Sequence, residues 1–337
     1  MITTMMKAVA YTAYGPPDVL HVVDVAKPQP ASDEVLLRVR ATTVTAGDIN
    51  LRGFAFVPDG LKPLTRLVFG LRKPRQAILG TEVSGEIVAV GESVTRFNVG
   101  DAVFGIGSGE PGAYAEYVTR KAAGALALMP DGMTFDEAAS VPFGATTALY
   151  FLKDRANVHP GQHVLVNGAS GGVGVYAVQI AKALGAEVTA VCSTRNMDMV
   201  HDLGADHIID YTREDFMKNH ATYDVVLDTV LGAMTFDHAK PALKPDGLYL
   251  AVAGGLGEMI RSAWNKRIIV GAAPETAEAM ETLVAMLNAG QIVPFIDRMY
   301  SLEEAAEAHR YVETRRKRGS VVIKVASAPD DNSTLFI

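Results

Sequence analysis

The chain has 337 residues, of which 49% are hydrophobic and 20% are charged, a composition typical of a folded globular protein. Its formal net charge of −7 argues against a general affinity for nucleic acid or for anionic membranes. The single cysteine, Cys192, excludes an internal disulfide and a multi-cysteine zinc cluster. No apolar run reaches the roughly 20 residues of a membrane helix, and the N-terminus lacks a secretory signal, so we expect a cytoplasmic protein of two domains.

The first third of the chain predicts a β-rich body. Val35, Leu37 and Val39 alternate with more polar neighbours, and glycine and proline separate this run from others like it at 86–90, 102–106 and 114–118. The segment from Gly53 to Lys73 breaks the rhythm with aromatic and basic residues and no clear period. It is either a mobile loop over a substrate or an ordinary surface segment.

From Thr134 onward the pattern changes to alternating helix and strand. Thr134 and Glu137 have the spacing of a capping box, which predicts a helix start. Strands are then predicted at 163–167, 187–192, 207–210, 223–230, 247–253 and 267–272. Six strands alternating with helices predict an α/β fold with a doubly wound parallel sheet. A helix at 276–289, a second capping box at Ser301 and Glu304, a strand at 320–325 and a frayed tail from Ala326 complete the chain.

The stretch at 163–174 joins an apolar strand to a glycine-rich turn and then to a helix with helical apolar spacing. Small residues occupy the offsets of the dinucleotide fingerprint G-x-G-x-x-G, with alanine in the first place. They let the chain turn tightly, let backbone N–H groups approach a pyrophosphate and let the helix pack close to the strand. We therefore predict that a dinucleotide binds at the start of this helix. The residues of the predicted turn are Ala169, Gly171, Gly172, Val173 and Gly174.

The end of the second strand predicts which dinucleotide binds. An enzyme that binds NAD normally has an acidic residue there, to accept hydrogen bonds from the ribose hydroxyls. This chain has Ser193 and Arg195 instead, which favours NADPH because both can donate hydrogen bonds to a 2′-phosphate. The alternative is that Arg195 is a solvated residue at a helix start. Tyr211, just after the third strand, is predicted to stack or donate its hydroxyl nearby.

Several motifs spread over nearly the whole chain carry a family resemblance. They are L-G-T-E-V-S-G at 79–85, G-A-Y-A-E-Y at 112–117, A-S-G-G-V-G at 169–174, Y-D-V-V-L-D-T-V at 223–230 and G-S-V-V-I at 319–323. They resemble the zinc-free quinone oxidoreductase (zeta-crystallin-like) branch of the medium-chain dehydrogenase/reductase superfamily. The resemblance implies a GroES-like catalytic domain at 1–126 and 292–337, a Rossmann NADP-binding domain at 127–291, and a substrate that meets the nicotinamide between them.

Two threonines bear on metal chemistry. Zinc enzymes of this superfamily carry a cysteine three residues before an aspartate and a histidine in a G-H-E motif. Here Thr45 precedes Asp48 at that spacing, and Thr81 replaces the histidine. Because neutral hydroxyls are poor zinc ligands, we predict a zinc-independent oxidoreductase that transfers hydride from NADPH to a quinone or an α,β-unsaturated carbonyl. Thr45 is the candidate catalytic residue, and the alternative is that its hydroxyl is satisfied within a β-strand.

The resemblance implies further contacts. Thr146 resembles a residue at the nicotinamide end of the cofactor, and Thr229 and Gly254 follow strands at the edge where open α/β sheets bind ligands. Arg315 matches an arginine that some members use against the 2′-phosphate, and the alternative is a solvated turn. The edge strand predicted at 267–272 suggests a homodimer.

Two other functions stay open. One is reduction of an enoyl thioester or small alkenal, for which the basic residues Arg66, Arg72, Lys73 and Arg75 would favour an anionic substrate. Phe54 and Phe56 would instead favour a neutral one. The other is a non-enzymatic NADPH-binding protein, against which the acidic balance and the lack of an extended basic and aromatic surface both argue.

Replacing Arg195 by alanine tests the predicted choice of dinucleotide. Because a charge-assisted hydrogen bond contributes about 1.5–3 kcal/mol, Arg195→Ala is expected to weaken NADPH binding by about that amount and to change NADH binding much less. Dissociation constants for both dinucleotides, measured on both proteins, check this. Equal losses for the two dinucleotides would contradict a contact between Arg195 and the 2′-phosphate.

Overall fold

The computed structural model describes residues 4–54, 74–107, 109–215, 220–232, 234–252 and 254–325. The predictions about Phe56, Arg66, Arg72, Lys73 and the tail from Ala326 lie outside these residues.

The chain divides into two units. The first comprises the described residues of Met1–Pro142, Thr276–Val284 and Ile296–Ile337, and the second those of Phe143–Glu275 and Ala285–Phe295. The domain boundaries implied by the resemblance differ from these units mainly at 127–142 and 276–284, and they stay a prediction about functional domains.

The strands are numbered along the whole chain. They are β1 (Met5–Tyr11), β2 (Leu20–Ala26), β3 (Glu34–Thr43), β4 (Glu82–Val90), β5 (Ala102–Ile106), β6 (Tyr117–Lys121), β7 (Leu126–Leu128), β8 (His163–Asn167), β9 (Glu187–Cys192), β10 (His207–Asp210), β11 (Tyr223–Asp228), β12 (Leu243–Ala251), β13 (Ile268–Val270), β14 (Ile296–Ser301) and β15 (Ser320–Lys324).

The α-helices are α1 (Ala46–Gly53), α2 (Phe135–Ala139), α3 (Pro142–Leu149), α4 (Gly174–Ala183), α5 (Met197–Asp202), α6 (Phe236–Ala239), α7 (Leu256–Ser262), α8 (Ala277–Asn288) and α9 (Ala305–Glu313). Helix α3 continues into a π-helical turn at Tyr150–Arg155. None of the helices within the described ranges combines the length and apolar character needed to cross a membrane.

The first unit is built on a mostly antiparallel sheet. Its strands lie in the order β14–β15–β3–β4–β5–β7, β6 also pairs with β3, and β1 and β2 form a separate hairpin. Val35, Leu37 and Val39 are fully buried in the core of this unit, as predicted. Leu36 is buried as well, so the alternation holds only from Leu37 to Ala41. The capping boxes at Thr134 with Glu137 and at Ser301 with Glu304 are both present.

The second unit contains the predicted parallel sheet. Its strands lie in the order β10–β9–β8–β11–β12–β13, and every pair is parallel. This is the order of a dinucleotide-binding sheet, in which the direction of winding reverses between the first and fourth strands, here β8 and β11. The prediction of a doubly wound α/β fold is confirmed.

Side-chain and loop hydrogen bonds shift two of the predicted strand ends. β11 ends at Asp228 rather than Val230, because the Val230 N–H donates to the Asp228 side chain, 3.1 Å away, instead of to a neighbouring strand. The strand predicted at 114–118 instead spans Tyr117–Lys121, because the Tyr114 N–H donates to the carbonyl of Leu79 outside the sheet. Apolar periodicity cannot anticipate either bond.

Helix α4 begins directly on the glycine turn, as predicted. Val173, Ala177 and Ile180 are buried, and so are all the residues of 174–181, so the helix is enclosed on every side. Gly174 permits this close packing, because a Cβ atom at this position would lie 2.1 Å from the carbonyl oxygen of Gly168. Gly168 itself has a φ of +77°, a left-handed conformation that favours glycine.

Substituting Gly174 tests this contact. Gly174→Ala is expected to lower the free energy of unfolding by about 1–3 kcal/mol, because the backbone must move to admit the methyl group. Urea unfolding measures the change. Gly257→Ala, within α7, is the matched control because its Cβ would meet no described atom within 4 Å and alanine is favoured over glycine in helices. Equal destabilisation of the two variants would contradict the packing role of Gly174.

Candidate cofactor and active site

The carboxyl edge of the parallel sheet collects most of the predicted cofactor residues. Open α/β sheets bind ligands at this edge, where the winding reverses. The turn at 169–174 follows β8, Ser193 and Arg195 follow β9, Tyr211 follows β10, Thr229 follows β11 and Gly254 follows β12. Thr146 lies within α3 of the same unit, whereas Thr45 and Arg315 belong to the first unit. The assignment of these residues to the cofactor stays a prediction.

The glycine turn is anchored from one side and open on the other. The N–H groups of Gly168 and Ala169 donate to the carbonyl of Val191 on β9, at 3.2 and 3.1 Å. Gly171 and Gly172 are only half-buried. The Gly171 N–H donates to the carbonyl of Gly168 at 2.9 Å and closes the turn. The turn leads into the start of α4, where the partial positive charge of the helix favours an anion. These residues fit the pyrophosphate of a dinucleotide.

The loop after β9 is fixed by a carboxylate on the next strand. The Thr194 hydroxyl donates to Asp210, and Thr212 donates to the same carboxylate through its N–H at 3.0 Å and its hydroxyl at 2.7 Å. The hydrogen bonds from the two threonines hold the pKa of Asp210 below its usual range. Within this loop Thr194 and Arg195 are exposed, and Ser193 is half-buried.

A second buried carboxylate connects β8 to β11. Asp228 accepts hydrogen bonds from the Asn167 side chain at 2.8 Å, from the Val230 N–H and from the Tyr249 hydroxyl at 3.1 Å. Burial raises the pKa of Asp228. The Thr229 hydroxyl donates to the carbonyl of Asn167 at 2.8 Å, so its hydrogen is committed to the backbone. Thr229 can therefore offer a cofactor only an acceptor in this conformation.

The remaining predicted residues of this unit differ in exposure. Tyr211 is 60% exposed, and its N–H donates to the carbonyl of Cys192. Gly254 approaches Val270 on β13, since a Cβ atom at Gly254 would lie 2.7 Å from the Val270 Cγ1. Thr146 is buried and donates to the carbonyl of Phe143 at 3.4 Å.

In the first unit, Asp48 connects the segments that carry the two threonines. Thr45 is the N-cap of α1, and its hydroxyl donates to Asp48 Oδ2 at 2.6 Å while its N–H donates to the same oxygen. The other oxygen, Oδ1, accepts from the Gly80 N–H at 3.0 Å. Burial raises the pKa of Asp48.

These contacts correct one expectation about Thr45. Its hydroxyl is satisfied by helix capping and not within a β-strand, because β3 ends at Thr43 and the chain turns into α1. The single hydroxyl hydrogen goes to Asp48, so Thr45 cannot donate to a carbonyl in this conformation. The Thr81 hydroxyl, by contrast, is buried and makes no hydrogen bond with any described residue.

Arg315 follows α9 in a left-handed conformation, with a φ of +57°. Its side chain is exposed, and its N–H donates to the carbonyl of Val312. This exposure agrees with the alternative of a solvated turn, and the predicted phosphate contact stays a prediction.

Sequence reasoning missed the polar residues that hold the site in place. The usual place of an acidic residue in such a sheet is the end of the second strand, whereas here Asp210 ends the third. His309 is fully buried, with Nε2 3.0 Å from the Tyr114 hydroxyl. Burial lowers its pKa to about 3. Asn196, beside Arg195, is buried as well.

Comparison with known proteins gives two family models and several close relatives. The model "Alcohol dehydrogenase GroES-like domain" matches residues 31–131, and "Zinc-binding dehydrogenase" matches residues 203–323. Quinone oxidoreductase of Pseudomonas aeruginosa is 32% identical over 340 residues, covering 95% of this chain and 99% of that protein.

Two solved structures agree with these matches. The quinone oxidoreductase from Coxiella burnetii has a TM-score of 0.84 at 31% identity, covering 96% of this chain and 100% of that one. CurK enoyl reductase has a TM-score of 0.81 at 26% identity, covering 95% and 99%.

The chain belongs to the quinone oxidoreductase-like branch of the medium-chain dehydrogenase/reductase superfamily. The predicted fold, with a GroES-like β-rich domain and a Rossmann sheet, is confirmed with it. As a member of this family the protein is an oxidoreductase, and its cofactor is a nicotinamide dinucleotide.

The substitution Asp48→Asn tests the hydrogen bonds by which Asp48 connects Thr45 to Gly80, the residue before Thr81. An amide nitrogen must then face either the Gly80 N–H or the Thr45 donors, so the free energy of unfolding is expected to fall by about 1–3 kcal/mol. Glu137→Gln is the matched control, because Thr134 and Glu137 form the same capping box at an exposed position.

The pH dependence of the Asp48→Asn effect is a second readout. A raised folded-state pKa gives a stability contribution that is present below the ordinary value of 3.8 and is lost as pH rises through the folded value. The advantage of wild type over Asp48→Asn should therefore shrink as pH rises above 4, as measured by urea unfolding. An advantage that grows with pH would contradict this assignment.

Proposed function

We propose that the protein is a zinc-independent, NADPH-dependent oxidoreductase that transfers a hydride to a quinone or an α,β-unsaturated carbonyl. The observation that carries the proposal is the pair of hydroxyl side chains, Thr45 and Thr81, at the two positions where zinc enzymes of the superfamily have thiolate and imidazole. The similarity to quinone oxidoreductases supports the same substrate class.

The donor set around Thr45 and Thr81 does not fit a zinc ion. Both are neutral hydroxyls, and the Thr45 oxygen already bonds to Asp48. Zinc in proteins takes thiolate, imidazole or carboxylate ligands, and Asp48 is filled by Thr45 and Gly80. Within the described ranges there is no group of three or more histidine, cysteine or acidic side chains arranged to hold a metal ion. The proposed reaction therefore includes no step at a metal.

NADPH rather than NADH is favoured by the loop after β9. Ser193 and Arg195 provide a donor and a positive charge where NAD enzymes have a carboxylate, and charge-assisted hydrogen bonds to phosphate are strong. Asp210, which ends β10, accepts hydrogen bonds from Thr194 and Thr212 and forms an ion pair with Arg213 at 3.6 Å. It therefore does not compete for the ribose hydroxyls.

The reaction requires little from side chains beyond binding and orientation. The bound nicotinamide supplies the hydride. In our proposal the glycine turn at 169–174 binds the pyrophosphate, Thr146 and Thr229 contact the nicotinamide end, and Arg315 adds charge near the 2′-phosphate. Thr81 replaces Thr45 as the hydroxyl that donates to a substrate carbonyl, because the Thr45 hydrogen is committed to Asp48. Thr45 retains a role in positioning this region.

A second candidate function is reduction of an enoyl thioester or alkenal double bond. The similarity to CurK enoyl reductase over nearly the whole chain favours it. The chemistry is shared, since a hydride is delivered to an electron-poor acceptor, and only the group that carries the acceptor differs.

We also propose a homodimer that pairs through β13, the edge strand of the parallel sheet.

A substrate panel with metal analysis tests the proposed function. The purified protein is expected to oxidise NADPH faster than NADH with quinones or enones, without stoichiometric zinc and with no loss after chelation. Faster turnover of enoyl thioesters than of quinones would favour the second function. No turnover with any acceptor despite tight NADPH binding would contradict both functions and favour a non-enzymatic protein. Activity that requires zinc would contradict the metal-free reaction.

Thr81→Val should lower kcat with an enone at least as much as Thr45→Val. Of these two threonines, only Thr81 has a hydroxyl hydrogen left to donate to the substrate carbonyl, because that of Thr45 goes to Asp48.

A further inference from the structure

A buried amide connects the two parts of the predicted cofactor site. Asn196, only 4% exposed, ends the short helical turn after β9. Its side-chain nitrogen donates to the hydroxyl of Ser170 at 2.9 Å and to the hydroxyl of Ser193 at 3.3 Å. Ser170 lies inside the glycine turn, and Ser193 begins the loop that faces a 2′-phosphate in our proposal. One side chain therefore contacts both anion-binding segments.

The direction of these hydrogen bonds follows from counting donors. The Asn196 side-chain oxygen is buried and accepts no hydrogen bond from the described residues. Reversing the amide would let this oxygen accept from both serines, but it would leave two buried N–H hydrogens without acceptors. Because an orphaned N–H is the rarer and costlier defect, the orientation with one unpartnered oxygen is favoured. Asn196 is thus the donor, and both serine oxygens accept.

This direction determines what the serines can do next. A hydroxyl has one hydrogen and two lone pairs. When a lone pair of each oxygen accepts from Asn196, the hydroxyl hydrogens of Ser170 and Ser193 point away from the amide and are available to another acceptor. Phosphate oxygens are acceptors only, and hydrogen bonds to a charged acceptor are stronger than neutral ones.

We propose that Asn196 orients Ser170 and Ser193 as a pair of donors to the cofactor phosphates. Ser170 donates to the pyrophosphate, and Ser193 donates to the 2′-phosphate. Asn196 is a positioning residue that acts through these two hydroxyls, and Ser170 is an additional cofactor contact. The inference about Ser193 rests on the proposed use of NADPH, whereas the inference about Ser170 requires only a dinucleotide.

An aspartate at this position would reverse the arrangement. Its carboxylate would accept the hydrogens of both serines, so neither hydroxyl could donate to phosphate, and it would add a negative charge beside the anion. Asn196→Asp is therefore expected to weaken NADPH binding about tenfold or more, and NADH binding less, because NADH lacks the 2′-phosphate. Fluorescence titration of the full-length protein with each dinucleotide gives the dissociation constants.

Asn265→Asp is the matched control. The Asn265 side-chain oxygen accepts from the Arg267 N–H at 3.0 Å, a bond that aspartate preserves, so the control adds the same charge in the same unit without reversing a donor. It is expected to leave both dissociation constants unchanged within twofold. Unchanged NADPH affinity in Asn196→Asp, or equal losses in the two variants, would overturn the proposal.

A double-mutant cycle separates positioning from a general loss of structure. Asn196→Ala is compared with Ser170→Ala/Ser193→Ala and with the triple variant. If Asn196 acts through the two hydroxyls, Asn196→Ala should weaken NADPH binding in the wild-type background and have little further effect once both serines are absent. An undiminished effect of Asn196→Ala in the serine-free background would show a merely structural role and overturn the proposal.

The same data distinguish this inference from the proposed function. A wild-type protein that binds NADH more tightly than NADPH would contradict the proposed cofactor. The inference that Ser170 donates to the pyrophosphate would still be supported if Ser170→Ala and Asn196→Asp weakened the binding of NADH. It would be overturned if NADH binding did not change.

Discussion

The close approach of α4 to the end of β8 is the constraint on which the rest of the cofactor site depends. It exists because Gly174 has no side chain, so the helix can begin against the carbonyl of Gly168. The turn between them is held to β9 by hydrogen bonds to Val191, which brings the loop after β9 beside the turn. A side chain at Gly174 would displace the helix start, and with it the backbone N–H groups that fit a pyrophosphate.

Buried polar side chains complete what this packing begins. Asp48, Asp210 and Asp228 each accept hydrogen bonds from more than one segment of the chain, and Asn196 donates to two. A buried carboxylate or amide needs hydrogen-bond partners, because leaving it unpaired costs more free energy than one hydrogen bond contributes to stability. Each therefore fixes the relative position of the backbone segments it connects. Thr45, Ser193 and Thr229 are on segments that these side chains hold in place.

Regular patterns made part of this structure predictable. The strands at 163–167 and 187–192 occur at their predicted bounds, because buried parallel strands are short apolar runs with clear ends. The prediction failed at Val230 and at Tyr114, where a side-chain or loop hydrogen bond replaced a sheet bond. The alternative that the Thr45 hydroxyl is satisfied within a strand was also wrong, because the sequence shows which residue follows β3 but not where the chain turns into α1.

The sequence by itself determined the fold class, the glycine turn before α4 and the family, because these depend on local periodicity, small residues at fixed offsets and contiguous motifs. Only the tertiary structure decided which hydroxyls still have a hydrogen to donate. Thr45 gives its hydrogen to Asp48, Thr81 has no such partner, and Asn196 directs those of Ser170 and Ser193. The physical reason is that a hydroxyl has a single hydrogen, and its direction is set by neighbours that are distant in the chain and adjacent only in the fold.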